Sequence, residues 1–285
     1  MINKTKNGHI LSKDGLKLFF RASFNNKKNN FIVIAHGFAE HSGRYEHLFL
    51  RLNQANFNIL AFDFRGHGYS DGKRGFINNL EEYLYDLEAA YIQASNMFNK
   101  EKGFLIAHSM GALISTFFAK KYENKLNGII LSSPFFSIMQ YIPKWKILAS
   151  SFLNKFFPNF SMKNGIKAEE LTHDTNMIEQ YKNDPLIFHH ATVRWFNEIK
   201  KSHTLIENIA KNIINPIFIQ LAEKDFLTNS ETTKKWFKNC KSKEKKIKIY
   251  KNFYHEIYNE KNQKQVVIDI INWLNKQLNL INKTS

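Results

Sequence analysis

The stretch Phe104-Leu-Ile-Ala-His-Ser-Met-Gly-Ala-Leu-Ile-Ser-Thr-Phe-Phe118 decides how this chain is read. Phe104 to Ala107 is a short apolar run with the length and bulk of a buried strand. From Met110 onward, Leu113, Ile114, Phe117 and Phe118 recur at the three- and four-residue spacing of one helix face. Ala107-His108-Ser109-Met110-Gly111 is left at the junction. A serine on such a sharp strand-to-helix turn is lifted above the carboxyl edge of its sheet, and small residues must flank it because the two backbones nearly touch. Gly111 meets that demand. Ala107 stands where the G-x-S-x-G pattern has its first glycine, one methyl larger. A serine between small residues is common in isolation, so the reading depends on its partners.

A serine hydroxyl is a weak nucleophile at neutral pH unless a base takes its proton. Of the 11 histidines, only His255 lies beyond His203, on a short loop after the apolar run Ile247 to Tyr250. The alternative is an ordinary surface histidine. The base needs an acid to hold its tautomer, between serine and histidine in chain order. Asp225 follows the run Ile217 to Leu221 by a few residues and is preferred. Glu223 is its nearby competitor, and Asp174 and Asp184 fall elsewhere. Negative charge developing on a carbonyl oxygen needs backbone N–H donors. Met110 supplies one at the helix start, and Phe38, in the loop His36-Gly-Phe-Ala-Glu40, can supply the other. His36 reads as a structural hydrogen-bonding residue.

Outward from the serine, further apolar runs are Phe31 to Ala35, Asn58 to Phe62 and Gly128 to Ser132, with helical spacing between most of them. Tyr45, Leu48, Phe49 and Leu52 mark one helix face, and Leu84, Leu87, Tyr91 and Ile92 another. Strand then helix, repeated, predicts an α/β chain with a mainly parallel central sheet flanked by helices. Val267, Ile271, Leu274 and Leu278 predict a closing helix, with a frayed tail after Ile281. From Phe135 to about Ile206 no clear strand is visible. This predicts a helical cap, residues 135–206, inserted into a core of residues 1–134 and 207–285.

With 285 residues, 43% of them hydrophobic, the chain can bury one substantial core. The single cysteine, Cys240, leaves no internal disulfide and no cysteine cluster for a metal, which suits a reducing, cytoplasmic setting. No metal or organic cofactor is expected. The first fifteen residues carry Lys4, Lys6 and Lys13 without an apolar stretch, so no secretory signal is visible and the mature chain is expected to begin near Met1. The segment Ile147 to Phe157 is far shorter than the ~20 apolar residues of a spanning helix. A net charge of +16 is spread over lysines beside asparagines, as at Asn25 to Asn30 and Lys241 to Lys248. No nucleic-acid-binding motif accompanies it, so no nucleic-acid partner is expected. A solvated basic surface and attraction to an anionic membrane both stay open.

Taken together, His36-Gly-Phe-Ala-Glu-His-Ser-Gly-Arg-Tyr45, Phe62-Asp-Phe-Arg-Gly-His-Gly-Tyr-Ser70, Ala107-His-Ser-Met-Gly111, Tyr181-Lys-Asn-Asp-Pro-Leu186 and Tyr254-His-Glu256 give the chain its character. From Gly15 to Leu278 it resembles the monoacylglycerol lipase and lysophospholipase group of α/β-hydrolases, within the serine aminopeptidase S33-like hydrolases. The resemblance implies the α/β-hydrolase fold, a lid-like cap over an acyl channel, and an oxyanion hole of Phe38 and Met110. It implies that the alcohol end of the substrate lies near Glu40, Arg44, His108 and Tyr181, although Glu40 and Arg44 also read as a structural ion pair. The implied partner is a lipid ester, monoacylglycerol or lysophospholipid, cleaved through an acyl-serine. A small-ester esterase, a thioesterase or a noncatalytic lipid-binding module is the alternative.

Two departures stand out. Ala39 occupies a position where the family has glycine, and Ala107 does so at the elbow. Arg65-Gly66-His67-Gly68 reads as a tight loop rather than chemistry. In the cap, Phe135, Phe136, Ile138, Tyr141, Trp145, Leu148, Phe152, Phe156 and Phe157 mix with Lys144, Lys146 and Lys155. They suit either a lid that touches lipid head groups or a small core of the cap's own.

Overall fold

The computed structural model describes residues 4–25, 30–139 and 142–284. An antiparallel hairpin, β1 (Lys4–Leu11) and β2 (Lys17–Phe24), precedes β3 (Phe31–Ala35), α1 (Glu46–Gln54), β4 (Asn58–Phe62) and α2 (Leu80–Phe98). Next come β5 (Gly103–His108), α3 (Met110–Lys121) and β6 (Leu126–Ser132). An insertion then carries α4 (Lys144–Phe156), β7 (Ser161–Lys163), α5 (Thr175–Asn183), β8 (His190–Thr192) and α6 (Val193–Ala210). The chain ends with β9 (Ile217–Ala222), α7 (Ser230–Asn239), β10 (Lys245–Tyr250) and α8 (Lys264–Thr284).

Eight strands form one sheet in the order β1-β2-β4-β3-β5-β6-β9-β10. From β4 to β10 every pairing is parallel, and β2 joins β4 antiparallel. Every residue of β3, β4, β5 and β9 is buried, as strands covered by helices on both faces must be. One core lies under α2, α3 and α6; the other lies under α1 and α8. Together these features are the α/β-hydrolase fold.

The β1–β2 hairpin was not among the expected strands, because it has no continuous apolar run: in β2 only Leu18, Phe20 and Ala22 point inward on alternate positions, with Ser23 buried beside them. Several local expectations are corrected. Ile92 faces outward on α2, where Ala90, Tyr91 and Ala94 are buried. The closing helix does not fray after Ile281, because that residue packs on the second core and α8 continues to Thr284. The insertion is not strand-free, since β7 and β8 pair over three residues each, too few to show a periodic pattern. The 206/207 boundary falls inside α6, which buries Trp195, Ile199, Ile206 and Ile209 in the main core.

The Arg65–Gly68 loop is a tight turn. Gly66 and Gly68 have φ of +68° and +49°, and a Cβ on Gly68 would fall 2.0 Å from an Asp63 carboxylate oxygen. Arg65 fastens the loop to Asp86 of α2 and to Asp14 of the N-terminal hairpin.

By contrast α4 buries only Ser150. Phe136 belongs to the main core, whereas Trp145, Leu148, Phe152, Phe156 and Phe157 are all more than half exposed. Those five therefore form no core of the cap. Tyr141 lies outside the described residues.

Candidate active site

β5 ends at His108, and Ser109 turns the chain into α3 with φ 50° and ψ −113°. A side chain held at positive φ is strained, and such strain persists only where the surroundings over-determine it. Here they do. A Cβ on Gly111 would lie 2.4 Å from the His36 carbonyl oxygen and 2.5 Å from that of Ala35, so only glycine lets α3 start this close to β3. The loop after β3 is strained too. Ala39 takes φ 64°, the left-handed region a glycine would occupy at no cost, and is fully buried there. Alanine thus keeps the loop conformation at a cost of about 1 kcal/mol. His36 is structural, its Nδ1 on the Gly37 carbonyl and its Nε2 accepting from the Phe64 N–H.

Three distant side chains meet above the sheet. His255, on the loop after β10, places Nε2 3.0 Å from Ser109 Oγ and Nδ1 2.8 Å from Asp225 Oδ2. Asp225 is fixed by N–H donors from Leu227 and Thr228 to Oδ1 and by the Thr228 hydroxyl to Oδ2. Its competitor Glu223 instead accepts from the Asn252 N–H on an exposed loop. The histidine loop is clamped on three sides. Ser133 Oγ donates to the His255 carbonyl, the Glu256 N–H donates to Leu171, and the Tyr254 N–H donates to Glu260.

Burial favours neutral His255, but the Asp225 charge and hydrogen bond, helped by Glu256 and Glu40, outweigh it, and the pKa is raised above 6.5. Burial alone would raise Asp225; His255 and Thr228 reverse that and hold its carboxyl below the usual value. His108 lies against His255, with ring centroids 4.8 Å apart. Burial, with the neighbouring His255, pushes it down to about 4, so it remains neutral.

A cavity of about 330 Å³ opens onto Ser109. Phe135, Ile138, Ile142, Trp195, Phe196 and Leu227 are among its apolar walls, and Phe38, Glu40, His108, Tyr181 and Glu256 also line it. Of the residues expected at the alcohol end, Glu40, His108 and Tyr181 are therefore at the cavity and Arg44 is not. Arg44 makes a two-pronged contact with Glu256, with Nη2 2.8 Å from Oε2, and a further bond of 3.0 Å to Glu40. Glu40 also accepts from Tyr45 OH and the Gly37 N–H, both at 2.6 Å. The Tyr181 ring covers the Arg44 guanidinium, and its buried hydroxyl has no hydrogen-bond partner among the described residues.

Glu256 was missed as a site residue. It stands next to His255 in the sequence, but its pairing with Arg44, 212 positions away, leaves no trace in spacing. Trp195, stacked 3.8 Å from Phe38, was likewise hidden within a helical pattern. Among the described residues no cluster of histidine, cysteine or carboxylate side chains could hold a metal ion.

The serine aminopeptidase S33 pattern of hydrolases matches residues 26–262. The chain belongs to that family. Within it, the chain is similar to the phospholipase YtpA of Bacillus subtilis, at 30% identity over 237 residues covering 82% of this chain and 91% of the relative. The crystal structure of Paleococcus ferrophilus monoacylglycerol lipase superposes with a TM-score of 0.79 at 26% identity, covering 97% of this chain and all of the other. An uncharacterized abhydrolase domain-containing protein of Dictyostelium discoideum is 28% identical over 252 residues, and there the chain spans only 26% of the relative's length.

Proposed function

We propose that this chain hydrolyses carboxylic esters of lipid-like substrates, monoacylglycerol or lysophospholipid, with Ser109 as nucleophile, His255 as general base and Asp225 as its orienting acid. The observation that carries the reading is the continuous line from Ser109 Oγ through the His255 ring to Asp225, at 3.0 and 2.8 Å. Ser109 Oγ attacks the ester carbonyl as its proton passes to His255 Nε2. The oxyanion forms against the N–H groups of Phe38 and Met110, the latter at a helix start where no carbonyl within the helix can claim it. His255 returns the proton to the alcohol oxygen as the C–O bond breaks. Water, deprotonated by the same ring, then releases the acid and restores Ser109. The apolar walls take the acyl chain, and the polar wall takes the alcohol.

Fatty-acid release from 1-monooleoylglycerol, followed across pH, tests this. The base must be neutral, and a raised pKa keeps it protonated to higher pH. The acid limb of kcat/KM therefore lies above pH 6.5, falling tenfold per unit below it. No release at any pH defeats the reading.

The cap supports peripheral contact with an anionic membrane. Trp145, Leu148, Phe152 and Phe156 fall on one face of α4 and point to solvent, with Lys146 over the Trp145 ring and Lys155 over the Phe156 ring. Aromatic bodies between cations suit a head-group layer. No helix among the described residues is long and apolar enough to cross a membrane. Co-sedimentation with phosphatidylglycerol-containing vesicles should weaken as salt rises and fall on the order of tenfold in a Trp145→Ser, Phe152→Ser double variant. Equal sedimentation of both proteins removes the idea.

A further inference from the structure

We propose that the alcohol end of the cavity selects by charge, admitting an uncharged, hydroxyl-bearing alcohol and rejecting one that carries a phosphate, with Glu256 as the specificity-determining residue. The proposal rests on the ester-hydrolase reading above and narrows its substrate class.

The polar wall beside Ser109 holds two carboxylates, and one guanidinium lies behind them. Glu40 and Glu256 are 3% and 5% exposed, and Arg44 is 8% exposed. Burial works against an ionised Glu256, but the Arg44 charge and its hydrogen bonds, with a further bond from Asn259, override this and hold its carboxyl below the usual carboxylate range. Arg44 is held strongly in its charged form by the two carboxylates. One positive charge against two negative ones leaves the cluster with a net charge of −1 at the cavity wall. Arg44 cannot serve a phosphate as it stands. Its Nη1 already reaches both carboxylates and its Nη2 reaches Glu256, while the Tyr181 ring covers its face.

The groups that face the cavity have a matching hydrogen-bond character. Glu40 and Glu256 offer carboxylate oxygens with lone pairs to spare, His108 is a neutral ring, and Tyr181 brings a buried hydroxyl with no partner among the described residues. Hydroxyl groups can donate to the carboxylates and accept from Tyr181. A fully ionised phosphate only accepts, so it would leave the buried Glu40 and Glu256 facing like charge. The cavity's two lysines, Lys146 and Lys163, are solvent-exposed cap residues on α4 and β7 and do not offset the buried excess. The inner wall is negative and the rim positive. An anionic surface is therefore attracted to the outside of the molecule, while an anionic alcohol is refused inside it.

The test compares 1-monooleoylglycerol with 1-oleoyl-lysophosphatidate, which share the acyl chain and the glycerol ester and differ by the phosphate. Both are presented at the same low mole fraction in uncharged detergent micelles at moderate salt, so that the aggregate surface is the same. Rates are normalised to p-nitrophenyl octanoate hydrolysis by the same preparation. The wild type should prefer monooleoylglycerol on the order of a hundredfold in kcat/KM. Glu256→Gln, which brings the cluster to neutrality, should narrow that ratio by about tenfold. Should Glu256→Gln fail to fold, Glu40→Gln removes the same charge and carries the same expectation. Equal rates on the two lipids, or a ratio untouched by the substitution, overturns the inference and leaves the ester-hydrolase reading standing. Hydrolysis of neither lipid overturns both.

Discussion

Ser109→Ala should remove fluorophosphonate labelling altogether and lower kcat/KM for a lipid ester by on the order of a millionfold, to what the oxyanion donors and binding alone provide. The size of the loss follows from the geometry. No other hydroxyl stands 3.0 Å from His255 Nε2 among the described residues, so nothing can inherit the proton relay. The substitution should leave the fold intact. Alanine carries the same backbone penalty at φ 50° that serine already bears, and the lost hydroxyl makes its hydrogen bond to His255 rather than to the elbow's own backbone. Far-UV circular dichroism and the thermal midpoint should match the wild type within a few degrees. A variant that keeps its fold and is still labelled places the nucleophile elsewhere.

The parts of this arrangement differ in how plainly they are written along the chain. β3, β4, β5 and β9 are buried on both faces, so the chain must spell them as unbroken apolar runs, and their positions can be read directly. Ser109 and Asp225 follow from them, because each sits just past the carboxyl end of such a strand; His255 follows β10, a more exposed strand whose run Ile247 to Tyr250 is still apolar enough to read. The β1–β2 hairpin was not legible, since an edge strand with one wet face needs only alternate apolar residues and Lys4–Leu11 barely supplies those. The Arg44–Glu256 pairing was not legible either. It depends on two loops from opposite ends of the chain converging, and a charged residue in a loop looks the same whether it faces water or a buried partner. The aromatic residues of α4 were legible as part of a helical cap, but their exposure was not, because a run of phenylalanines carries no mark of which side the molecule lies on.

Asp225→Asn should cost about ten-thousandfold in kcat while leaving KM within a few fold. The substitution is nearly isosteric. One amide oxygen can still accept from the Leu227 and Thr228 N–H groups, so the loop after β9 keeps its shape. The change falls on the oxygen that faced His255 Nδ1 at 2.8 Å. An amide NH2 there donates instead of accepting, and the ring answers by moving its proton to Nε2. Nε2 then points a hydrogen at the Ser109 hydroxyl and can no longer receive one. Glu223 is not placed to take over, because its carboxylate accepts from the Asn252 N–H on an exposed loop. Asp225 lies behind the histidine rather than on the cavity wall, which is why substrate affinity should be spared. The residual activity carries a second signature. Asp225 is the largest contributor holding the His255 pKa up against burial, so its neutralisation lets burial pull that pKa down. The acid limb of the remaining rate should move to lower pH and pass below 6.5, whereas a mere loosening of the loop into water would bring the ring down only as far as 6.5. A limb that stays where the wild type has it would mean that the carboxylate does not set the state of the base.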